Sequence, residues 1–210
     1  MKKWPFKISV FALPLFLFLV SCSLSTFEAG REIMSGRDAL LLGNPQAALP
    51  SFEAISQANP DYINCINLFC VGIWTYLGRT QHEIGKNEWA LASPMKGKRR
   101  HRGDRFNQIY LGLVKARTGK IEEGKAELDV GLEALHNWLA NLWRQLDGDL
   151  WDTRGLLRKV IVDIRNQLQS DRISWDRVDQ SVRQLALEFE EEGRGVLDDK
   201  DVDARPLLES

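Results

Sequence analysis

A chain of 210 residues suits one domain, or one domain with an appendage, and its 44% hydrophobic content is enough for a core. A formal charge of −1 gives no general attraction to nucleic acid or to anionic lipid.

The chain opens MKKWPFK, with Lys2, Lys3 and Lys7 and no acid, followed by an apolar run of thirteen residues from Ile8 to Val20. Thirteen is too short to span a bilayer, which takes about 20 residues. A basic start, a short apolar core and a small residue at Ser21 are the anatomy of a secretory signal. Leu19-Val20-Ser21-Cys22 resembles the bacterial lipobox. That resemblance implies a diacylglyceryl group on the Cys22 thiol, cleavage before it and acylation of the new amino terminus, so that membrane lipid becomes a partner through acylated Cys22. Residues 1–21 are then a lipoprotein signal peptide and 22–28 a lipidated linker. Removing 1–21 leaves 25 basic against 29 acidic side chains, a balance of −4. By resemblance to the enterobacterial sorting pattern, Ser23 favours the outer membrane, periplasm-facing, with the inner membrane as the alternative.

Cys65 and Cys70 remain for an oxidising compartment. On a regular helix five residues separate them by roughly 7.5 Å along the axis, and bridging fails beyond about 7 Å. Buried free cysteines are the expected state; a disulfide requires the chain to bend between them. There is no C-x2-C pair, and His82, His101 and His136 lie far apart, so neither a metal site nor a cofactor is expected.

Glycines carry the next signal. Gly36 and Gly43 lie seven apart, as do Gly78 and Gly85, and Gly112 and Gly119. The step from Gly78 to Gly112 is 34 residues, and that from Gly36 to Gly78 is 42, leaving eight of insertion. Ala48, Phe52 and Pro60 complete the first unit; Trp74, Leu77 and Ala90 join the second; Leu111, Gly124 and Leu128 join the third. Over roughly residues 29–136 this pattern resembles tetratricopeptide repeats. The resemblance implies an all-α, TPR-type solenoid of about three helical hairpins. Small residues allow close helix approach, and stacked pairs bury a core that one pair cannot. Pro94 falls where the second unit should present an aromatic residue, which predicts a helix ending near Ala92 or Ser93.

Leu132, Leu135, Leu139, Leu142 and Leu146 extend the last repeat helix. Two further stripes, Leu157, Val160, Ile161, Ile164, Leu168 and Trp175, Val178, Val182, Leu185, Phe189, predict capping helices within 137–192, with Ser174 as a helix cap. Trp138, Trp143 and Trp151 are expected in helix packing near that junction, with an exposed aromatic docking surface as the alternative. Residues 193–210, with several acids and no period, read as an acidic mobile tail. KGKRRHR, Lys96 to Arg102, reads as a solvated inter-repeat loop, with contact to phosphates, lipid A or an acidic partner as the alternative. DGDLWD, Asp147 to Asp152, reads as a turn before the next helix rather than a calcium loop, since it lacks the later glutamate and the full EF-hand spacing. No HExxH, GxSxG, Walker loop or GxGxxG is present, and Glu190, Glu191 and Glu192 are adjacent and point in different directions. Catalysis is not expected; a cell-wall (peptidoglycan) enzyme or its accessory subunit is the alternative.

The resemblance implies a binding face as well. In tetratricopeptide folds the first helix of each unit lines the concave surface, and ligands touch the residue after the first pattern glycine and those three or four further on. Those positions hold Arg37; then Arg79, His82 and Glu83; then Leu113, Ala116 and Arg117. Arginines on one wall suit an acidic or carboxylate-ended protein or peptide, since guanidinium pairs with carboxylate oxygens. The expected function is a membrane-anchored adaptor with no nucleic-acid role. The lysine and asparagine clamp of chaperone-binding members is not reproduced.

Overall fold

The computed structural model describes residues 28–66, 68–145 and 151–203. The protein is 77% helical, and its eight described helices pack in consecutive pairs. They are α1 (28–41), α2 (Pro45–Ala58), α3 (Ile73–Glu83), α4 (Asn87–Arg100), α5 (Arg105–Arg117), α6 (Ile121–Gln145), α7 (Leu156–Leu168) and α8 (Trp175–Asp203). Cys22 and the signal segment lie outside the described residues, as do Asp147, Asp149 and Leu146.

The glycine pattern has two structural meanings. The second member of each pair, Gly43, Gly85 and Gly119, has a positive φ of 68°, 80° and 91° and ends a helix in the left-handed conformation. The first member sits where two helices touch. A Cβ on Gly36 would lie 2.5 Å from Phe52 Cε1, one on Gly78 2.7 Å from Pro94 Cδ, and one on Gly112 2.7 Å from Leu128 Cα. In each hairpin the touching residue lies sixteen positions after the glycine.

The protein is mostly helical, as expected, but between α2 and α3 the chain is extended. A hairpin of β1 (Ile63–Ile66) and β2 (Phe69–Gly72) takes up the extra residues of the long step, with Cys65 opposite Cys70 in antiparallel register. Their Cα atoms are 4.0 Å apart and they form a disulfide. Helical geometry predicts free cysteines; a tight hairpin is the bend that reverses the conclusion. The bond closes only a short loop, which removes about 2 kcal/mol of chain entropy from the unfolded state. Gly72 N–H, at the end of the hairpin, donates to Asp104 (2.7 Å), which also accepts from Thr75 Oγ1 (2.6 Å) and caps α5 through Asn107 N–H (2.9 Å).

Three other expectations are corrected. Helix α4 does not stop before Pro94 but continues to Arg100, because the proline ring packs against the bare Cα of Gly78. Lys96 to Arg100 are therefore the end of α4, with Lys98, Arg99 and Arg100 in its last turn, where basic side chains complement the helix dipole. The acidic tail is helical as far as Asp203, as a continuation of α8.

The stripes along α6, α7 and α8 are buried as expected: Leu132, Leu135, Leu139, Leu157, Ile161, Ile164, Leu168, Val178, Val182 and Leu185 are fully enclosed. Asp152 caps α7, accepting from Leu157 N–H (2.7 Å) and Arg158 Nε (2.6 Å). Phe69 of the hairpin gathers Phe106, Trp138, Trp151 and Phe189 into one aromatic cluster, with centroids 4.7–5.7 Å from its own.

Candidate functional site

The arginine row of the sequence pattern exists, and the chain's own last helix lies on it. Arg37 on α1 donates through Nε to Glu190 of α8 at 2.7 Å. Arg79 on α3 donates to Glu83 one turn on (2.8 Å), and its Nη1 lies 3.9 Å from Glu190 Oε1. The His82 ring nitrogens lie 2.8 Å from Asn87 Oδ1 and 3.0 Å from Asp179 Oδ1. Arg117 on α5 reaches Asp176 at 2.7 Å and Asp179 at 3.6 Å. Arg37, Arg79 and His82 are buried; the Arg117 side chain is 31% exposed. Leu113 and Ala116 are in the core.

Helix α8 fits here because it carries two parallel stripes. Val178, Val182, Leu185 and Phe189 face the core, and one residue on from several of these lie Asp179, Arg183, Ala186 and Glu190. Burying four large apolar side chains contributes on the order of 6–12 kcal/mol before entropy, so the apolar stripe holds the helix and the charges set its register. A buried ion pair adds little net stability when complete, but removing one partner costs about 3–5 kcal/mol. The three adjacent acids do diverge: Glu190 turns in to Arg37, Glu192 accepts from Asp152 N–H (2.7 Å), and Glu191 is exposed.

The electrostatics follow this geometry. Burial works against the Arg79 charge, but surrounding groups, Glu83 and Glu190 among them, more than offset it, so its pKa is raised. For Asp179, burial favours the neutral acid, yet hydrogen bonds from His82 and Arg183 (3.1 Å) prevail and hold it down to about 2. Burial, reinforced by Glu190, pushes the Tyr76 phenol up; Tyr110 is also raised by burial. Tyr76, Arg79, Tyr110, Trp151, Phe189 and Glu190 border a small cavity between the hairpin, α3, α5 and α8, with about 30 Å³ of room, enough for about two waters. Tyr110 and Trp151, whose hydroxyl and Nε1 are buried without a hydrogen-bond partner among the described residues, both line that space. Such a cavity accommodates water. Among the described residues, no group of three or more His, Cys, Asp or Glu side chains could hold a metal ion.

The residues that sequence reasoning missed are the carboxylates opposite the row. Asp179 and Glu190 had a signal, a polar stripe alongside the apolar one of α8, but the sequence did not say which helix would receive it. Comparison of this chain with protein-family models, with curated proteins and with solved structures finds no match in any of the three.

Proposed function

We propose that this chain is a lipid-anchored, periplasm-facing adaptor of tetratricopeptide type, held at the outer membrane through acylated Cys22 and binding a protein partner without catalysing a reaction. The observation that carries the repeat reading is the common register of three hairpins, in which Gly36, Gly78 and Gly112 each receive the residue sixteen positions later. Equal spacing at three places is what stacking of like units requires.

The arginine wall selects carboxylates on an amphipathic helix, as its own occupant illustrates. Of the four candidate residues Arg37, Arg79, His82 and Arg117, only Arg117 is substantially open, and its partner Asp176 is 86% exposed. An acidic partner therefore makes its first contact at Arg117, in exchange for Asp176. The test is a pulldown from detergent-solubilised membranes with the native lipoprotein and with Arg117→Glu, whose rim position spares the core. A partner recovered by the native protein and depleted by the variant supports the reading. Equal recovery by both would move the binding site elsewhere, and recovery of no protein by either would refute the adaptor role.

A further inference from the structure

The antiparallel hairpins put five helix ends together. Ser51 of α2 donates to Glu32 near the start of α1, Trp74 at the start of α3 donates to the Pro60 carbonyl just after α2, and Arg100 at the end of α4 pairs with Asp61. The start of α1, the end of α2, the start of α3, the end of α4 and the start of α5 thus share one end of the molecule. That end holds Lys96, Lys98, Arg99, Arg100 and Arg102, all exposed. Lys98 pairs with Glu127 (2.7 Å) and Arg100 with Asp61, while Lys96 lies 4.5 Å over the Trp74 ring. Arg99 and Arg102 have no ion pair among the described residues. Arg99 borders two shallow depressions, one shared with Trp74, Lys96 and Arg100, the other with Lys98 and Arg102.

We propose that this end is a docking surface for the headgroups of anionic phospholipids. Two independent features point the same way. The cations are concentrated here although the whole chain is near neutral, and basic clusters are drawn to anionic bilayer surfaces. The tether leads here too: the described part of α1 begins at residue 28, and the six residues from Cys22 to it reach at most about 22 Å. The orientation argument rests on the lipid anchor proposed above; the charge argument does not. The protein stands with the α4–α5 turn on the bilayer, and the opposite end, with Gly43, Gly85 and Gly119, faces away.

The experiment uses the full lipoprotein reconstituted in vesicles, with a thiol-reactive fluorophore at Gly103→Cys or, at the far end, Lys120→Cys. Gly103 is exposed and a Cβ there meets no atom within 4 Å, so the label is accommodated. Cys65 and Cys70 are bonded to each other and do not react. Headgroup-quencher lipids should quench position 103 in phosphatidylglycerol vesicles much more than in phosphatidylcholine vesicles, and much more than position 120 in either. About 0.5 M salt, where the Debye length is about 4 Å, and the Lys96→Glu, Arg99→Glu double variant should each reduce the signal to the neutral-vesicle level. Equal quenching at the two positions, or quenching indifferent to lipid charge and salt, would overturn the proposal. So would protection of position 103 by a co-purified acidic protein in both vesicle types. Mass spectrometry of Cys22 separates the two readings: an unacylated thiol refutes the anchor alone, and quenching at position 103 by phosphatidylglycerol vesicles at low salt, repeated in the Cys22→Ser background where no second thiol takes the label, still decides the surface.

Discussion

Replacing Gly112 by alanine adds one methyl group where α5 crosses α6, and the structure gives that methyl no room. Its carbon would lie 2.7 Å from Leu128 Cα and 2.8 Å from the Gly124 carbonyl oxygen, and closer still to the Leu128 nitrogen. All three are backbone atoms, so no rotamer change relieves the clash. Ordinary carbon–carbon contact needs about 3.5–4.0 Å, and the two helices must part by roughly 1 Å. Ile109, Leu113, Leu128, Leu132 and Leu135, all fully buried, would lose contact together. Overpacking of this kind costs about 1–3 kcal/mol, and rigid obstacles place it near the upper end. Alanine returns at most about 1 kcal/mol of helix propensity, for a net loss of about 2 kcal/mol and a fall in Tm of about 4–8 °C. The assay is urea and thermal denaturation followed by helical circular dichroism. Gly30→Ala is the control: a Cβ there meets nothing within 4 Å, so that variant should equal or exceed the parent in stability. A Gly112→Ala protein as stable as the parent would refute the account of glycine as the element of close approach.

The depressed pKa of Asp179 makes a stability term of on the order of 2 kcal/mol that is present above about pH 4 and lost as pH falls towards 2. The urea midpoints of the parent and of Asp179→Asn should therefore converge over that range, and a constant gap would show that the carboxylate is not paired. Replacing Cys65 and Cys70 by serine should cost about 2 kcal/mol, read as a lower urea midpoint with helical content retained; an unchanged midpoint would mean the hairpin does not depend on the bond. Metabolic labelling with a clickable fatty acid should mark the parent and not Cys22→Ser, whereas equal labelling would remove the lipid anchor.

The amino-acid sequence by itself determined what depends on short spacings. Apolar stripes at three- and four-residue intervals place α6, α7 and α8, and paired glycines seven apart place three helix ends and three close approaches, because both follow from the helical repeat and the absence of a side chain. The arginine row was legible as well, since residues one, four and five positions after a glycine on a helix share a face. Helical spacing misled at Cys65 and Cys70 because it presumes a helix, and at Pro94 because propensity ignores the neighbour that accepts the ring. Only the tertiary structure decided what faces the row. That Asp179 meets His82 and Glu190 meets Arg37 follows from where α8 lies after the chain has turned back on itself. Those partners are 97 and 153 residues apart, and no local periodicity carries information over such distances.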